Sequence, residues 1–414
     1  MIEAPPLPFG ARVVNALARP FASLAPQLSL REDSLLAAAR KQTELGDFGS
    51  DSFREPLRRF LDSLESEANL TPIGRMIARG EIVQALCNRL EMTDWRRRHP
   101  EIDAERVAAP VVIIGMPRTG TTILHELLMQ DPGNRVPQTW EVDFPCPPPV
   151  AATYGNDPRI ARVAETLDRS ESLIPDFKRM HRMGAQLPQE CVRILAPEFA
   201  SIAFLITYRV PSYGAWLLRD YDWAPAYAAH RRFLQLLQWR CPGERWVLKT
   251  PGHLWALPAL LAEYPDARLI QTHRDPLRIL GSVTSLGTTL RTMASRDPHP
   301  TEVAREWSDW NAMALDASVD ARESGLIKAE NVIDIYFREF MADPFAAIRR
   351  IYDRFGIAYC DEADRRMRAY LDANPSDKHG AHEYRFADTG LDEQRERAKV
   401  ARYQDYFNVP SERL

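Results

Sequence analysis

A chain of 414 residues can hold two or three domains of ordinary size, or one large α/β domain with a helical extension. Its 53 Lys and Arg nearly balance 57 Asp and Glu, which argues against nucleic acid as a partner and against general attraction to a membrane surface, so any basic site must be local. The five cysteines (Cys87, Cys146, Cys191, Cys241, Cys360) are odd in number and show no CxxC spacing, which speaks against a disulfide framework and a zinc site. A reduced cytoplasm is the simplest location. No run of about 18 uncharged apolar residues occurs, so no transmembrane helix is expected, and early charges and prolines spoil the h-region a signal peptide would need.

Residues 1–106 read as a helical N-terminal extension, and 107–414 as the α/β domain. Ser52-Phe53-Arg54-Glu55 matches a capping box ahead of Leu57, Phe60, Leu61 and Leu64 at helical spacing. Thr71-Pro72 announces a second helix, a cap followed by proline in the first turn. The basic run Trp95 to His99 reads as a solvated helix end.

Val111 to Leu128, VVIIGMPRTGTTILHELL, organises the rest. An unbroken Val/Ile run is the pattern of a buried parallel strand. Gly115, Pro117 and Gly120 form the turn, and a helix begins near Thr121. Such a turn aims unpaired helix N–H groups and the positive end of the helix dipole at the loop, where an anion belongs. Thr121 and Thr122 add hydroxyl donors, and Arg118 can fork onto two oxygens. The spacing GxxxxGTT differs from the Walker loop, whose lysine position holds Thr121 here, so Mg²⁺-dependent NTP chemistry is disfavoured.

Further on, Asp157-Pro158 starts a helix to about Ile174, and His181 to Glu190 reads as loop. Glu244 to Leu286 holds a second informative unit: strands at Trp246–Leu248 and Arg268–Thr272, a crossover helix at Leu254–Glu263, and another helix after Asp275-Pro276. Such a βαβ unit makes the strands parallel, with ligands at their carboxyl ends, where Lys249 and Arg274 sit. A further strand is expected at Val332–Tyr336, with helices after Asp343-Pro344, over Asp361–Leu371 and over Leu391–Phe407.

The loop PRTGTT resembles the 5′-phosphosulfate loop of sulfotransferases that use 3′-phosphoadenosine 5′-phosphosulfate (PAPS), and the chain is similar to the bacterial branch of that family over about residues 107–410. The resemblance implies a P-loop-like parallel sheet flanked by helices. It also implies that Pro117, Arg118, Thr119, Gly120, Thr121 and Thr122 hold the 5′-phosphosulfate. Arg274 and Ser282, eight residues apart, match the arginine and helix-borne serine that bind the 3′-phosphate in this family. Lys378 or Arg385 would complete that site. Lys249-Thr250-Pro251-Gly252-His253 looks like a catalytic Lys–His segment, although three residues rather than one separate the pair. Glu141 stands after the loop's helix as the catalytic glutamate of Golgi-type enzymes does. The segment HRMGAQLPQEC, with His181, Pro188, Glu190 and Cys191, and the late segment Asp377 to Leu391 look like features of the bacterial branch.

The expected activity is therefore sulfuryl transfer from PAPS, leaving adenosine 3′,5′-bisphosphate (PAP), to a hydroxyl or amine of a small molecule, lipid or glycan, with no metal. Arg118 and Lys249 are the expected cations, and Glu141 or His253 the expected base. A P-loop nucleotide or sugar kinase and a non-catalytic nucleotide-binding module are the competing readings. Phe144, Tyr154, Tyr213, Trp216 and Trp223 suit an acceptor pocket or ordinary core packing equally well.

Overall fold

The computed structural model describes Ile2 and residues 5–18, 28–173, 182–374 and 385–414. At its centre five parallel strands run in the order β2-β3-β1-β4-β5: β1 Val111–Gly115, β2 Asn134–Arg135, β3 Arg245–Lys249, β4 Arg268–His273 and β5 Val332–Tyr336. Four of them are legible as apolar runs. The fifth, β2, is two residues long and polar, which leaves no periodic signal to read.

Alternation along the strands serves both faces. Val112, Ile114, Leu248 and Leu269 enter one apolar cluster, and Val111, Ile113, Val247 and Ile270 enter the other. The second face is covered by the helix Thr121–Leu128 and by helices Pro344–Phe355 and Asp361–Ala373. The first face packs against other helices, among them Ala224–Gln238, Pro276–Ala294 and Pro300–Glu323. Its core runs without a break into the N-terminal helices through Leu35, Phe53, Phe60, Leu61 and Leu86.

Two cap expectations differ in outcome. Thr71 caps the helix Pro72–Arg98, its hydroxyl accepting from Gly74 N at 2.9 Å. The helix Arg54–Ser66 starts later than Ser52 suggested, because a 3-10 turn at Asp51–Phe53 is capped by Ser50 and the Ser52 hydroxyl instead donates to Glu198 at 2.7 Å. The crossover helix is likewise divided, into a 3-10 turn Pro251–Trp255 and a helix Leu257–Glu263. Among the described residues no helix is long and apolar enough to cross a membrane.

The register decides where chemistry can gather. Gly115 pairs with Thr272, and Ile113 with Lys249, so the loop after β1, Lys249 and Arg274 all leave the same edge of the sheet. Because β1 is the central strand, with β3 on one side and β4 on the other, that edge holds the crevice in which parallel sheets bind ligands.

Candidate active site

The loop after β1 is shaped by three left-handed backbone positions. Gly115 has φ 143°, and a Cβ there would stand 2.2 Å from the Thr272 hydroxyl; Gly120, with φ 87°, opens the helix Thr121–Leu128. Between them Arg118 adopts φ 66°, a conformation that costs a non-glycine residue of order 1–3 kcal/mol and concentrates at ligand clamps. Its side chain is exposed. Thr121 and Thr122 occupy the first turn of the helix, whose leading N–H groups face the loop. Thr119 behaves differently from its neighbours. Buried, it donates to Met116 O at 2.6 Å and meets the Thr272 hydroxyl at 2.6 Å, so its side chain fastens the loop to β4.

Arg274, just past β4, reaches that loop directly, Nη1 donating to the Arg118 carbonyl at 3.0 Å. Its guanidinium lies over the Phe337 ring, 3.9 Å from the centroid, and its Nε–Nη2 edge faces the Glu412 carboxylate at 3.2 and 3.4 Å. Ser282 is buried two turns into the following helix, Pro276–Ala294. Arg385 turns out to solvent, 74% exposed beside Asp388; Glu412 is the residue that meets Arg274. Lys378 and His181 lie outside the described residues.

At the end of β3, Lys249 is 3% exposed and its ammonium pairs with the carboxylate of Glu190, which also accepts from the Thr250 hydroxyl at 3.4 Å. Glu190 is held by its backbone neighbours. Gln189 N donates to Pro137 O at 2.7 Å, while Thr139 N and Trp140 N donate to Leu187 O and Ala185 O at 3.1 and 3.0 Å. Next to it the Cys191 thiol is enclosed, and burial pushes it up to about 12, so it stays protonated.

The two expected bases occupy closed positions. Glu141 is 0% exposed and accepts four hydrogen bonds: from Arg135 Nη1 and Nη2 at 3.2 and 2.9 Å, from the Tyr154 hydroxyl at 3.0 Å, and from Gln138 N at 3.0 Å. That fills the lone-pair positions of a carboxylate. Burial alone would lower the Arg135 pKa; the charge and hydrogen bonds of Glu141, together with Tyr154 and Cys241, more than reverse it. His253 is also 0% exposed, its Nδ1 bonded to the Tyr227 hydroxyl at 2.7 Å, and burial followed by the charge of His230 holds it well below the usual histidine range. The candidate pocket aromatics have structural partners as well. Tyr213 and Trp223 are buried in the core, Tyr154 serves Glu141, and Phe144 and Trp216 lie under Arg162 and Arg59.

Glu190, like Glu412, is an acidic residue at this edge that the sequence expectation did not place in the site. The signal was available, since Glu190 belongs to the segment LPQEC and precedes a helix, but spacing could not show that this segment folds back onto Lys249.

Comparison with known proteins gives the family and the fold. The model of a sulfotransferase family matches residues 110–361. An omega-hydroxy-beta-dihydromenaquinone-9 sulfotransferase of Mycobacterium bovis, and its counterpart in Mycobacterium tuberculosis, are each 26% identical over 281 residues, spanning 65% of this chain and 68% of theirs. The crystal structure of sulfotransferase STF1 from Mycobacterium tuberculosis superposes with a TM-score of 0.81 at 31% identity, over 91% of this chain and 100% of that one. Sulfotransferase STF9 from Mycobacterium avium gives 0.84 at 31% identity, over 92% and 98%.

Proposed function

Since the chain belongs to the sulfotransferase family and is a transferase of sulfuryl groups, we propose that it takes the group from PAPS and leaves PAP. The observation that carries this reading is the 3.0 Å contact of Arg274 with the Arg118 carbonyl, which joins two anion-binding segments 156 residues apart into one crevice. Arg118, Gly120, Thr121, Thr122 and the leading helix amides hold the 5′-phosphosulfate, with Pro117 setting the turn. Arg274 takes the 3′-phosphate, with Ser282 on the helix behind it.

The acceptor oxygen attacks sulfur, the bond from sulfur to the 5′-phosphate oxygen breaks in line, and the departing phosphate carries the growing charge. Lys249 and Arg118 stabilise that charge, while Glu190 rather than Glu141 or His253 receives the acceptor's proton. The pairing of Lys249 with Glu190 suits this division of labour. One side chain points a cation at the leaving group and the other a carboxylate at the entering hydroxyl. Lys249 is enclosed while the Glu190 carboxylate keeps 18% of its surface open, which lets an entering hydroxyl reach it.

For the acceptor we assign a hydroxyl on an apolar small molecule, after the hydroxylated menaquinone that names two relatives. The protein would be incubated with radiolabelled PAPS and, separately, a hydroxylated isoprenoid quinone, a phenol panel and a glycan panel. Label entering the quinone is expected, and label entering glycans alone would sink the acceptor assignment. Arg118→Ala and Lys249→Ala are each expected to lower turnover by roughly 10²–10³-fold or more; unchanged turnover removes that residue from the site.

A further inference from the structure

The carboxylate of Glu412 lies along the Nε–Nη2 edge of Arg274, at 3.2 and 3.4 Å. The tail that carries it is fixed at several points. Val409 is buried and its carbonyl accepts from Gln404 Nε2 at 3.0 Å. Glu412 N donates to Asp275 Oδ2 at 2.6 Å. Asp275 is itself enclosed, its other oxygen accepting from Leu277 N at 3.0 Å and from Arg397 at 2.6 Å. An acidic residue is thus seated by an anchored tail on the arginine assigned to the 3′-phosphate of the donor.

We propose that Glu412 is an internal stand-in for the donor's 3′-phosphate: it holds the Arg274 fork while the site is empty and yields it when the nucleotide enters. This rests on the assignment of Arg274 made above. A guanidinium has two edges for bidentate pairing, and one Nη1 hydrogen of Arg274 is already committed to the loop carbonyl. A phosphate arriving beside the carboxylate would meet a like charge within a few ångströms, so the carboxylate has to move. Every binding event is therefore an exchange of one anion for another. The exchange weakens donor and product alike, and for the product that is useful, because the bisphosphate leaves sooner. The pair is only partly shielded, Arg274 and Glu412 side chains being 18% and 14% exposed, so the effect is moderate.

Calorimetric titration with PAP and with adenosine 5′-monophosphate, which lacks the 3′-phosphate, tests this on wild-type protein, Glu412→Gln, Glu412→Ala and Arg274→Ala. Both Glu412 variants are expected to bind PAP about five- to tenfold more tightly and the monophosphate unchanged. Weaker or unaltered PAP binding in both variants overturns the proposal, since Glu412 would then be orienting Arg274 or doing nothing. An equal gain for both nucleotides also overturns it, as a diffuse charge effect. The arginine variant separates the two levels of inference: loss of the preference for PAP over the monophosphate in Arg274→Ala upholds the parent assignment whatever the Glu412 variants do. Retention of that preference removes the parent assignment and this proposal together.

Discussion

Glu141 with Arg135 and Glu190 with Lys249 are both carboxylate–cation pairs beside β3, the first level with its second residue and the second at its carboxyl end, yet they are built for opposite purposes. In the first pair each carboxylate oxygen is used, the arginine is stacked on Trp246 with its carbon 4.5 Å from the ring centroid, and neither side chain is more than 7% exposed. In the second the lysine is buried but the carboxylate is 18% exposed, and its neighbour Thr250 is only loosely engaged. A pair that closes on itself stabilises a fold, whereas a pair that keeps one partner accessible can exchange it for a substrate. The position of a glutamate in the sequence shows neither condition.

The comparison can be broken most directly at the open pair. Glu190→Gln, which keeps an acceptor for the Lys249 ammonium, is expected to reduce turnover about 10²–10⁴-fold and to cost less stability than loss of the closed pair, as judged by steady-state rates beside urea denaturation. Turnover within a factor of three of wild type would return the proton to another residue. At the closed pair the readouts trade places. Glu141→Ala leaves the Arg135 charge buried without its partner and should cost about 3–5 kcal/mol of stability; a stable protein with selectively abolished turnover would instead restore Glu141 as the base.

This contrast also marks where sequence reading stops. The strand-loop-helix at Val111–Leu128 was legible because an apolar run, two glycines and a helix start are local features, and all of them appear at the expected residues. Lys249 and Arg274 were legible as strand-end residues for the same reason. Four contacts were not: Glu190 on Lys249, Glu412 on Arg274, Tyr154 on Glu141 and Thr119 on Thr272. Each joins segments more than ten residues apart without any periodic trace, so only the tertiary arrangement could reveal them. The strand β2 escaped because two paired residues are too short for any alternation.

A third test separates the regions by pH. Burial holds His125 and His230 down to about 3, and holds His253 well below the usual range. Folded-state values below the unfolded one mean that the unfolded chain binds protons first, so this contribution is complete above about pH 6.5 and is lost as pH falls toward about 3. Denaturant midpoints should accordingly drop between pH 7 and pH 5. His230→Phe should make that drop smaller by up to about 2 kcal/mol, even if it lowers stability at pH 7. An identical slope in the variant would mean that His230 is already charged or solvated in the folded protein, and the closed region would be less closed than its geometry.

The smallest expected effect falls on the loop after β1, which is tied to β4 rather than to either pair. Thr119 spends its hydroxyl on Met116 O and on Thr272, behind a backbone whose next neighbour on the amino side, Arg118, is in the left-handed conformation. Thr119→Val keeps the shape and removes the hydroxyl, leaving the Thr272 hydroxyl with its longer bond to Ile114 O at 3.4 Å. A loss of about 1–2 kcal/mol is expected, together with a few-fold weaker binding of PAP, because a loosened loop must be ordered again when the 5′-phosphate arrives. If stability falls but PAP binding does not, the loop is held by its glycines and by Arg274 rather than by Thr119. If PAP binding collapses while stability is untouched, the Thr119 hydroxyl turns toward the nucleotide when it binds and belongs with Thr121 and Thr122 rather than with the scaffold.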